Sequence, residues 1–271
     1  MKPNLTELEA LARGAGEILR AGYETRPGMA NHLEVEYKGT IDLVTDVDLQ
    51  SERYLISSIR ERYPDHRIVS EESGVNQGGE CCIWFIDPID GTVNFAHGIP
   101  IFSVSIAYAQ DGRVELGVIY DPMRDECFSA ELGRGAWLNG KPIRVGATKE
   151  LDHSLMITGF PYDIRTNSEN NLDHYARFAL HSLGVRRLGS AALDLCYIAA
   201  GRFDGYWELR LNSWDIAAGE LIAREAGALV TDLNGDPDDM VQNPVSQHSI
   251  LAANPILHGQ MLAIFKEEKE A

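Results

Sequence analysis

Apolar residues recur every three or four positions in two segments near the start of the chain. Residues 5 to 22 place leucine, isoleucine and alanine side chains on one stripe, which predicts an amphipathic helix with Thr6 and Glu9 as its capping pair. The same spacing from about 48 to 62 predicts a second helix. Residues 24 to 40, with several glycine, proline and charged positions, predict a mobile loop or a loose hairpin.

The next segments have the pattern of strands. Residues 67 to 70 predict a short strand that ends just before two glutamates. The apolar run 81–86 predicts a strand buried on both faces. We expect this strand to end at Pro88, because proline cannot donate to the hydrogen-bond ladder of a sheet.

Turn signals divide the remainder of the chain. Asp-Gly at 111–112 and Asn-Gly at 139–140 predict hairpins between alternating strands. After residue 150 the predicted elements are strands at 154–158, 185–188, 203–208, 228–232 and 248–252, and helices at 170–182, 190–200, 216–226 and 255–267. We predict a single layered α/β domain over residues 1–271, with an antiparallel subregion to about 148 and an alternating subregion from about 149.

Composition and charge narrow the class of protein. The 271 residues carry a formal net charge of −17, which argues against binding nucleic acid or an anionic membrane through a basic surface. No apolar run approaches the roughly 20 residues that span a bilayer, and the N-terminus lacks a signal-peptide pattern. The four cysteines fit neither a disulfide framework nor a zinc site, so we expect reduced thiols and a cytoplasmic location.

Four stretches place acids or a hydroxyl beside the predicted end of a strand or start of a helix. They are KGTIDLVTDVD at 38–48, SEES at 70–73, DPIDGT at 87–92 and SWDIAAGE at 213–220. Helix capping or a solvated loop explains each of them taken alone. Taken together, they place Glu71, Asp87, Asp90 and Asp215 at one edge of the α/β layers, where sites tend to lie.

Clustered carboxylates repel one another in a low dielectric, so we predict that cations neutralise them. Hard oxygen ligands without paired His or Cys favour Mg²⁺, with Mn²⁺ as the alternative. Two such ions about 4 Å apart suit phosphoryl transfer. A phosphate would then rest on the N–H groups of Gly91 and Thr92, at the start of a predicted helix.

The motifs resemble those of the inositol monophosphatase family, which comprises Mg²⁺-dependent, lithium-inhibited sugar phosphatases. WFIDPIDGTVNFAHGIP at 84–100 resembles the first motif of the family, and WDIAAGELIAREAGALVTDLNG at 214–235 resembles the second. DLVTDVD and SEES lie upstream in the expected order. The resemblance extends over nearly the whole chain and implies a five-layered αβαβα sandwich that forms a homodimer.

The resemblance also implies a set of metal ligands. A first ion would be held by Glu71, Asp87 and the carbonyl oxygen of Ile89. A second ion would use Asp87, Asp90 and Asp215, and a third, weaker ion would use Glu71 and waters. Two or three Mg²⁺ ions are therefore the expected cofactors.

The catalytic roles that the resemblance implies belong to Asp48, Thr92 and Glu71. Asp48 and Thr92 match the pair that orients and deprotonates the nucleophilic water, with Asp48 as general base. Water would attack the phosphorus in line, without a covalent enzyme intermediate. Lys38 matches a lysine of a mobile loop near the active site.

Substrate choice depends on segments 189–195 and 204–215. Glu208 matches the glutamate that binds ring hydroxyls in inositol-specific members, and the alternative is a strand end on the surface. Arg186 and Arg187 would bind a second phosphate or pair with acids at a dimer interface. The other expected substrate contacts are Asp90, Gly91, Thr92, Gly189, Ser190, Ala191 and Asp215.

We therefore expect a cytoplasmic phosphomonoesterase that hydrolyses myo-inositol 1-phosphate. One alternative is the same chemistry on fructose 1,6-bisphosphate, NADP, 3′-phosphoadenosine 5′-phosphate or histidinol phosphate. An alternative of another class is a regulatory or binding protein that uses the fold without turnover. The expected partner is a small-molecule phosphate ester, with neither nucleic acid nor membrane.

Overall fold

The structure is a computed structural model that describes residues 2–25, 35–37, 43–237 and 239–267. The described helices are α1 (Leu5–Glu24), α2 (Asp46–Arg62), α3 (Thr92–His97), α4 (Leu172–Leu180), α5 (Ala191–Ala199), α6 (Ser213–Glu225) and α7 (Pro255–Glu267). The first strands are β1 (Val35–Tyr37), β2 (Leu43–Thr45), β3 (His66–Ser70), β4 (Gly74–Asn76), β5 (Gly79–Asp90), β6 (Ser103–Gln110), β7 (Arg113–Asp121) and β8 (Glu126–Glu131). The others are β9 (Gly135–Leu138), β10 (Lys141–Pro142), β11 (Leu155–Thr158), β12 (Gly184–Arg186), β13 (Gly205–Leu211), β14 (Leu229–Thr231) and β15 (His248–Ala253).

The predicted helices and strands are confirmed in the described residues, except for the end of β5 and the cap of α1. Most of the predicted loop or hairpin at 24–40 lies outside the described residues. Asn4 caps α1: its side chain accepts a hydrogen bond of 3.1 Å from the Glu7 N–H, and the Glu7 carboxylate accepts one of 3.1 Å from the Asn4 N–H. The predicted capping pair, Thr6 and Glu9, is therefore wrong by two positions. Asn4 provides the cap because its backbone is extended, which aims its side chain at the free N–H groups of the first turn.

One sheet has eight strands in the order β10-β9-β8-β7-β6-β5-β3-β4, and only β3 and β5 pair in parallel. Both predicted hairpins are confirmed. Asp111 and Gly112 have φ of 49° and 82°, and Asn139 and Gly140 have φ of 48° and 73°. Left-handed backbone at both central residues gives the turn the twist that joins two antiparallel strands.

Strand β5 continues beyond Pro88, so the prediction that it ends there is wrong. Asp87 pairs with Ser105, and the pairing resumes at Asp90 with Ser103 after an irregularity. The irregularity accommodates the proline, which has no N–H for the ladder. As a consequence, Asp87 and Asp90 both lie at the same end of a central strand.

The second sheet has five strands in the order β12-β11-β13-β15-β14. Strand β11 is parallel to β12 and β13, whereas β15 is antiparallel to β13 and β14. Three apolar cores separate the layers: α1 and α2 cover the outer face of the eight-stranded sheet, α5 and α6 lie between the sheets, and α4 and α7 cover the outer face of the five-stranded sheet. The predicted αβαβα order is confirmed.

The middle layer fixes the position of α6. A Cβ on Gly117 of β7 would lie 2.9 Å from the carbonyl oxygen of Ala218, so a glycine is needed for α6 to pack directly on the sheet. This contact holds α6 against β7, and the helix also packs on β5 and β6. Within the described ranges, no helix combines the length and the apolar character needed to cross a membrane.

Candidate active site

Glu71, Asp87, Asp90 and Asp215, the four acids predicted to form a site, line a single pocket. Glu71 follows the last residue of β3, Asp87 and Asp90 come from the end of β5, and Asp215 lies in the first turn of α6. These elements are far apart in sequence and meet because their ends share one edge of the layered fold. Ile89, whose carbonyl oxygen is a predicted metal ligand, also lines the pocket.

The pocket has a strong excess of negative charge. Of its lining residues, Glu71, Asp87, Asp90, Asp194, Glu208 and Asp215 carry carboxylates, whereas only Arg187 and Arg210 carry a guanidinium group. Arg210 is engaged by Asp163, at 2.6 Å between nitrogen and oxygen. The pocket therefore has the electrostatics of a site for divalent cations.

The pKa values of the acids show that burial and mutual repulsion disfavour their ionised forms. Burial raises the pKa of Asp87 well above its usual range, and the charges of Glu71, Asp90 and Asp215 raise it further. Burial also raises the pKa of Asp215 to about 8, although a backbone hydrogen bond from Asn212 opposes the change. Carboxylates that resist ionisation in this way gain most from a bound cation.

Local hydrogen bonds orient two of the acids. Asp90 accepts from the N–H groups of Ala191 and Ala192 at 3.2 and 2.8 Å and from the Ser190 hydroxyl, all at the start of α5. Burial raises the Asp90 pKa to about 6, and these hydrogen bonds oppose a larger rise. Asp215 accepts a hydrogen bond of 2.7 Å from the Asn212 N–H, so it closes the capping box of α6 as well as lining the pocket.

The acids do not form a closed cage. Among the described side chains, no three of Asp, Glu, His and Cys are gathered as the ligands of one metal ion. Their oxygen donors nevertheless fit Mg²⁺, which takes few protein carboxylates and keeps several waters. The fit rests on donor chemistry and buried negative charge.

Asp48 and Thr92, the predicted catalytic pair, are in direct contact. The Thr92 hydroxyl donates to Asp48 Oδ1 at 3.0 Å and lies 2.9 Å from the carbonyl oxygen of Ile89. Asp48 Oδ2 accepts from the Thr45 N–H at 2.9 Å, so the capping role of Asp48 is confirmed beside this contact. Burial raises the Asp48 pKa, while hydrogen bonds from Thr45 and Thr92 oppose the rise. Thr92 lines the pocket, and Asp48 lies behind it, fully buried.

The predicted substrate residues lie on the same pocket. Glu208 is buried in the middle of β13, so the alternative that it merely ends a strand on the surface is wrong. The Tyr206 hydroxyl donates to Glu208 Oε2 at 2.8 Å, and burial raises the Glu208 pKa to about 7. The other predicted contacts that line this pocket are Gly91, Gly189, Ser190 and Ala191.

Arg187 lines the pocket, and its guanidinium lies so near Gly189 that a Cβ there would be 2.9 Å from Nη1. Arg187 and the neighbouring Arg186 are both exposed, but only Arg187 of the two lines the pocket. Of the two predicted roles for this pair, the pocket position of Arg187 fits contact with an anionic ligand. Lys38 lies outside the described residues.

Asp194, which lines the pocket from α5, lies in the segment 189–195 but is not among the predicted site residues. Asp194 is 1% exposed, and its Oδ1 has no hydrogen-bond partner among the described groups. Burial and the charges of Glu208 and Asp90 raise its pKa well above the usual range, whereas Arg187 lowers it. The only sequence signal is a single carboxylate within the apolar run AALDLCYIAA.

Glu52 is a second residue that the sequence did not indicate. It is 3% exposed on α2, one turn after Asp48. Its Oε1 accepts from the N–H groups of Glu72 and Ser73 at 3.1 and 3.0 Å, and the Ser73 hydroxyl donates to its Oε2. Glu52 therefore fixes the turn that follows Glu71 and ties this turn to the helix that carries Asp48.

Known proteins share this fold over almost the whole chain. A model of the inositol monophosphatase family matches residues 1–270. The Escherichia coli (strain K12) protein named Nus factor SuhB is 42% identical over 269 residues, which cover 99% of this chain and 97% of that protein. The structure of inositol monophosphatase from Anabaena (Nostoc) sp. PCC 7120 has a TM-score of 0.84 at 38% identity, covering 97% of this chain and 95% of that one.

A staphylococcal protein, SaIMPase-II, was solved with inositol monophosphate bound; it has a TM-score of 0.79 at 27% identity and covers 97% of this chain and 93% of that one. It was also solved with 2′AMP bound. The layered α/β fold is the fold of the phosphatases in these solved structures. With a family match across 1–270, the chain belongs to the inositol monophosphatase family.

Proposed function

We propose that the protein is a Mg²⁺-dependent phosphomonoesterase that hydrolyses myo-inositol 1-phosphate to inositol and phosphate. The observation that carries the proposal is one pocket that brings together the acids of β3, β5 and α6 beside the Thr92–Asp48 pair. Family membership supports the phosphatase chemistry. The inositol monophosphate bound to SaIMPase-II supports the choice of substrate.

Two or three Mg²⁺ ions, or Mn²⁺ in their place, would bind to the acids of the pocket. Glu71, Asp87 and the Ile89 carbonyl would hold the first ion, and Asp87, Asp90 and Asp215 the second. When bound, the ions supply positive charge that offsets the acids and polarises the phosphate ester. The carbonyl oxygen of Ile89 has two lone pairs, so it can serve an ion while it lies near the Thr92 hydroxyl.

The proton transfer belongs to Thr92 and Asp48. The Thr92 hydroxyl faces the pocket and takes a proton from the attacking water as it passes its own proton to Asp48 Oδ1. Burial favours this step, because it raises the pKa of the accepting carboxylate. The water oxygen forms a bond to phosphorus, and the ester P–O bond breaks on the opposite side. The leaving alkoxide takes up a proton from solvent, and Asp48 returns its proton to solvent afterwards.

The phosphate would contact the N–H groups of Gly91 and Thr92. Gly91 has φ of 103°, and a Cβ there would lie 3.0 Å from the Ile101 carbonyl oxygen, so both the backbone conformation and the packing of this turn require glycine. The polyol would lie toward Glu208 and the segment Gly189–Ala191, with Asp90 and Asp215 also in contact with it. A buried carboxylate at 208 suits hydroxyl groups and disfavours a second phosphate.

A panel of phosphate esters tests the proposal. Purified protein is assayed in Mg²⁺, with and without lithium, on inositol 1-phosphate and each of the alternative substrates named above. We expect the highest kcat/KM on inositol 1-phosphate and loss of at least about 1,000-fold in Asp90→Asn, which removes a ligand charge. A preference for fructose 1,6-bisphosphate or NADP would replace the polyol substrate, and turnover retained by Asp90→Asn would refute the metal assignment.

The name of the Escherichia coli relative, Nus factor, indicates a second candidate role. This role is considered because the relative matches 99% of this chain. The intact acids of the pocket favour catalysis as the primary role. The two roles are separable by replacing the relative's gene with the wild-type chain or with Asp90→Asn. Rescue of the relative's function by both genes would support a role independent of turnover, and rescue by neither would contradict it.

We also propose that the protein is cytoplasmic and forms a homodimer. The four cysteines are all free, as suits a reducing compartment. Sedimentation equilibrium at micromolar concentration measures the oligomer directly. A mass near 30.0 kDa instead of twice that value would contradict the dimer.

A further inference from the structure

Two adjacent thiols lie at the opposite end of β5 from the pocket. Cys81 is exposed, Cys82 is partly exposed, and their sulfur atoms are 3.1 Å apart. The proposed phosphatase uses neither residue. The other two cysteines, Cys127 and Cys196, are buried and single.

The backbone explains why neighbouring side chains converge. Side chains at successive positions of a regular strand point to opposite faces of the sheet. Here His66 pairs with Gly79, but Arg67 pairs with Ile83, so one step along β3 spans four positions on β5. Residues 80–82 therefore lie in a bulge, where the alternation is broken and both sulfurs can turn toward each other.

The bulge is anchored by the neighbouring strand β6. On the side of β6, the Asp111 N–H donates to the Cys81 carbonyl oxygen at 2.9 Å, and Cys82 pairs with Gln110. The Tyr108 hydroxyl lies 3.5 Å from the Cys82 sulfur. The two thiols are thus held together by the sheet and not by a flexible loop.

We propose that Cys81 and Cys82 form a dithiol site for thiophilic trivalent metalloids, with organic arsenicals as the ligand class. Thiolate sulfur selects soft ions. With sulfur bonds of about 2.3 Å to a central atom, sulfurs 3.1 Å apart subtend an angle of about 85°. That angle suits the near-right angles of pyramidal trivalent arsenic and is too small for tetrahedral zinc.

The number of donors leads to the same class. Among the described side chains no third Cys, His, Asp or Glu completes a metal-ligand set at the pair. Zinc needs four ligands, whereas an organic arsenical brings one carbon substituent and requires two sulfurs. Cys81 and Cys82 supply these two sulfurs.

The binding reaction balances without an oxidant or a reductant. Phenylarsine oxide, with one arsenic–oxygen unit, reacts with both thiols; two arsenic–sulfur bonds form, and the oxygen leaves as water with the two thiol protons. Arsenic remains trivalent, and both sulfurs keep their oxidation state. The hydrogen bond with Cys82 raises the pKa of the Cys81 thiol.

Intact-mass measurement with equimolar phenylarsine oxide tests the site. We expect one adduct per chain that withstands excess glutathione, a monothiol, and is released by dithiothreitol. Cys81→Ser and Cys82→Ser should each retain at least about tenfold less arsenical after the glutathione wash, because a single sulfur loses the chelate advantage. Cys127→Ala, which removes a buried single thiol, is the matched control and should bind as the wild type does.

Thermal unfolding tests whether the fold prepares the pair. A ligand that binds the native state better than the unfolded chain raises Tm. We expect phenylarsine oxide to raise the Tm of the wild type and of Cys127→Ala but not of Cys81→Ser. Arsenical retained in Cys81→Ser and Cys82→Ser, or a wild-type Tm that is unchanged or lowered by the adduct, would overturn the proposal.

Discussion

The Thr92 hydroxyl donates a hydrogen bond of 3.0 Å to Oδ1 of Asp48, a residue 44 positions earlier in the chain. The contact joins the start of α3 to the start of α2. Thr45 occupies the other oxygen of the same carboxylate, so Asp48 has one oxygen for the fold and one for Thr92. A buried acid is thereby connected to the pocket through a single hydroxyl.

If this hydroxyl carries the proton, Thr92→Ala should lower kcat by about 100-fold or more, which is the usual contribution of a positioned acid–base group. KM should change by less than about threefold, because the side chain is proposed to act on the water. Thr92→Ser keeps the hydroxyl and should remain within about tenfold of the wild type. Steady-state phosphate release at saturating Mg²⁺ measures all three, and more than one-tenth of the activity left in Thr92→Ala would contradict the relay.

The acids predict how stability depends on pH when Mg²⁺ is removed. Burial raises the pKa of Asp90 to about 6 and that of Asp215 to about 8, from about 4 in an unfolded chain. The folded state therefore binds these protons more tightly. Their stabilising effect is fully present below about pH 4 and is lost as the pH rises through about 6 and then about 8. In EDTA, the free energy of unfolding should fall from pH 7.5 to pH 8.5.

Urea denaturation at each pH measures this fall, and Mg²⁺ should reverse most of it. The window starts at pH 7.5 because burial lowers the pKa values of His66 and His258, and their opposing contribution is complete only once unfolded-state imidazoles, with a pKa of about 6.5, have also lost their protons. Asp215→Asn is the control variant, since it removes the group that titrates near 8 and should flatten the upper part of the curve. A metal-free protein whose stability rises with pH across this window would show that the acids are not buried together.

The sequence was sufficient to locate the acids, since strand ends and helix starts leave local signals. Asp87 follows an apolar run, and Asp215 precedes a helical pattern, so each position could be read from its neighbours. The continuation of β5 past Pro88 could not be predicted from neighbouring residues, because the bulge depends on pairing with β6. The cap of α1 was misplaced because two overlapping capping patterns, Asn4 with Glu7 and Thr6 with Glu9, compete in the same turn.

Glu52 and Asp194 illustrate a second limit. Each lies within a helix whose pattern reads normally, and the role of each depends on groups far away in sequence. Glu52 contacts a turn 20 positions later, and Asp194 lines the same pocket as Glu208, whose charge raises its pKa. Such contacts arise from the packing of layers, and the order of strands in those layers leaves no local signal.

The contact of Glu52 with the turn after Glu71 predicts an effect on Mg²⁺. Glu52→Ala removes the acceptor for two N–H groups and the Ser73 hydroxyl, so the turn that follows Glu71 loses three hydrogen bonds. We expect the Mg²⁺ concentration for half-maximal activity to rise about 10- to 100-fold, as for other residues that orient metal ligands. Calorimetric Mg²⁺ binding in the absence of substrate should weaken by the same factor.

Glu52→Gln is the matched variant for that experiment. Its amide oxygen can still accept from the Glu72 and Ser73 N–H groups, and its amide nitrogen can donate to the Ser73 hydroxyl. It should therefore bind Mg²⁺ within about threefold of the wild type. Equal loss in Glu52→Gln and Glu52→Ala would mean that the charge of Glu52 matters and not its hydrogen bonds.

Glu208 offers a test that separates recognition of the polyol from phosphate chemistry. Glu208→Gln keeps the shape of the side chain but removes its negative charge, so the KM for inositol 1-phosphate should rise about tenfold, the effect of about 1.4 kcal/mol in a charged hydrogen bond. Hydrolysis of p-nitrophenyl phosphate, which has no polyol hydroxyls, should change by less than about threefold. Tyr206→Phe removes the hydroxyl that donates to Glu208 at 2.8 Å and should have a smaller effect, since the carboxylate remains. Equal losses on both substrates would place Glu208 with the acids that serve the metal ions, because only a defect in the shared chemistry lowers both rates alike.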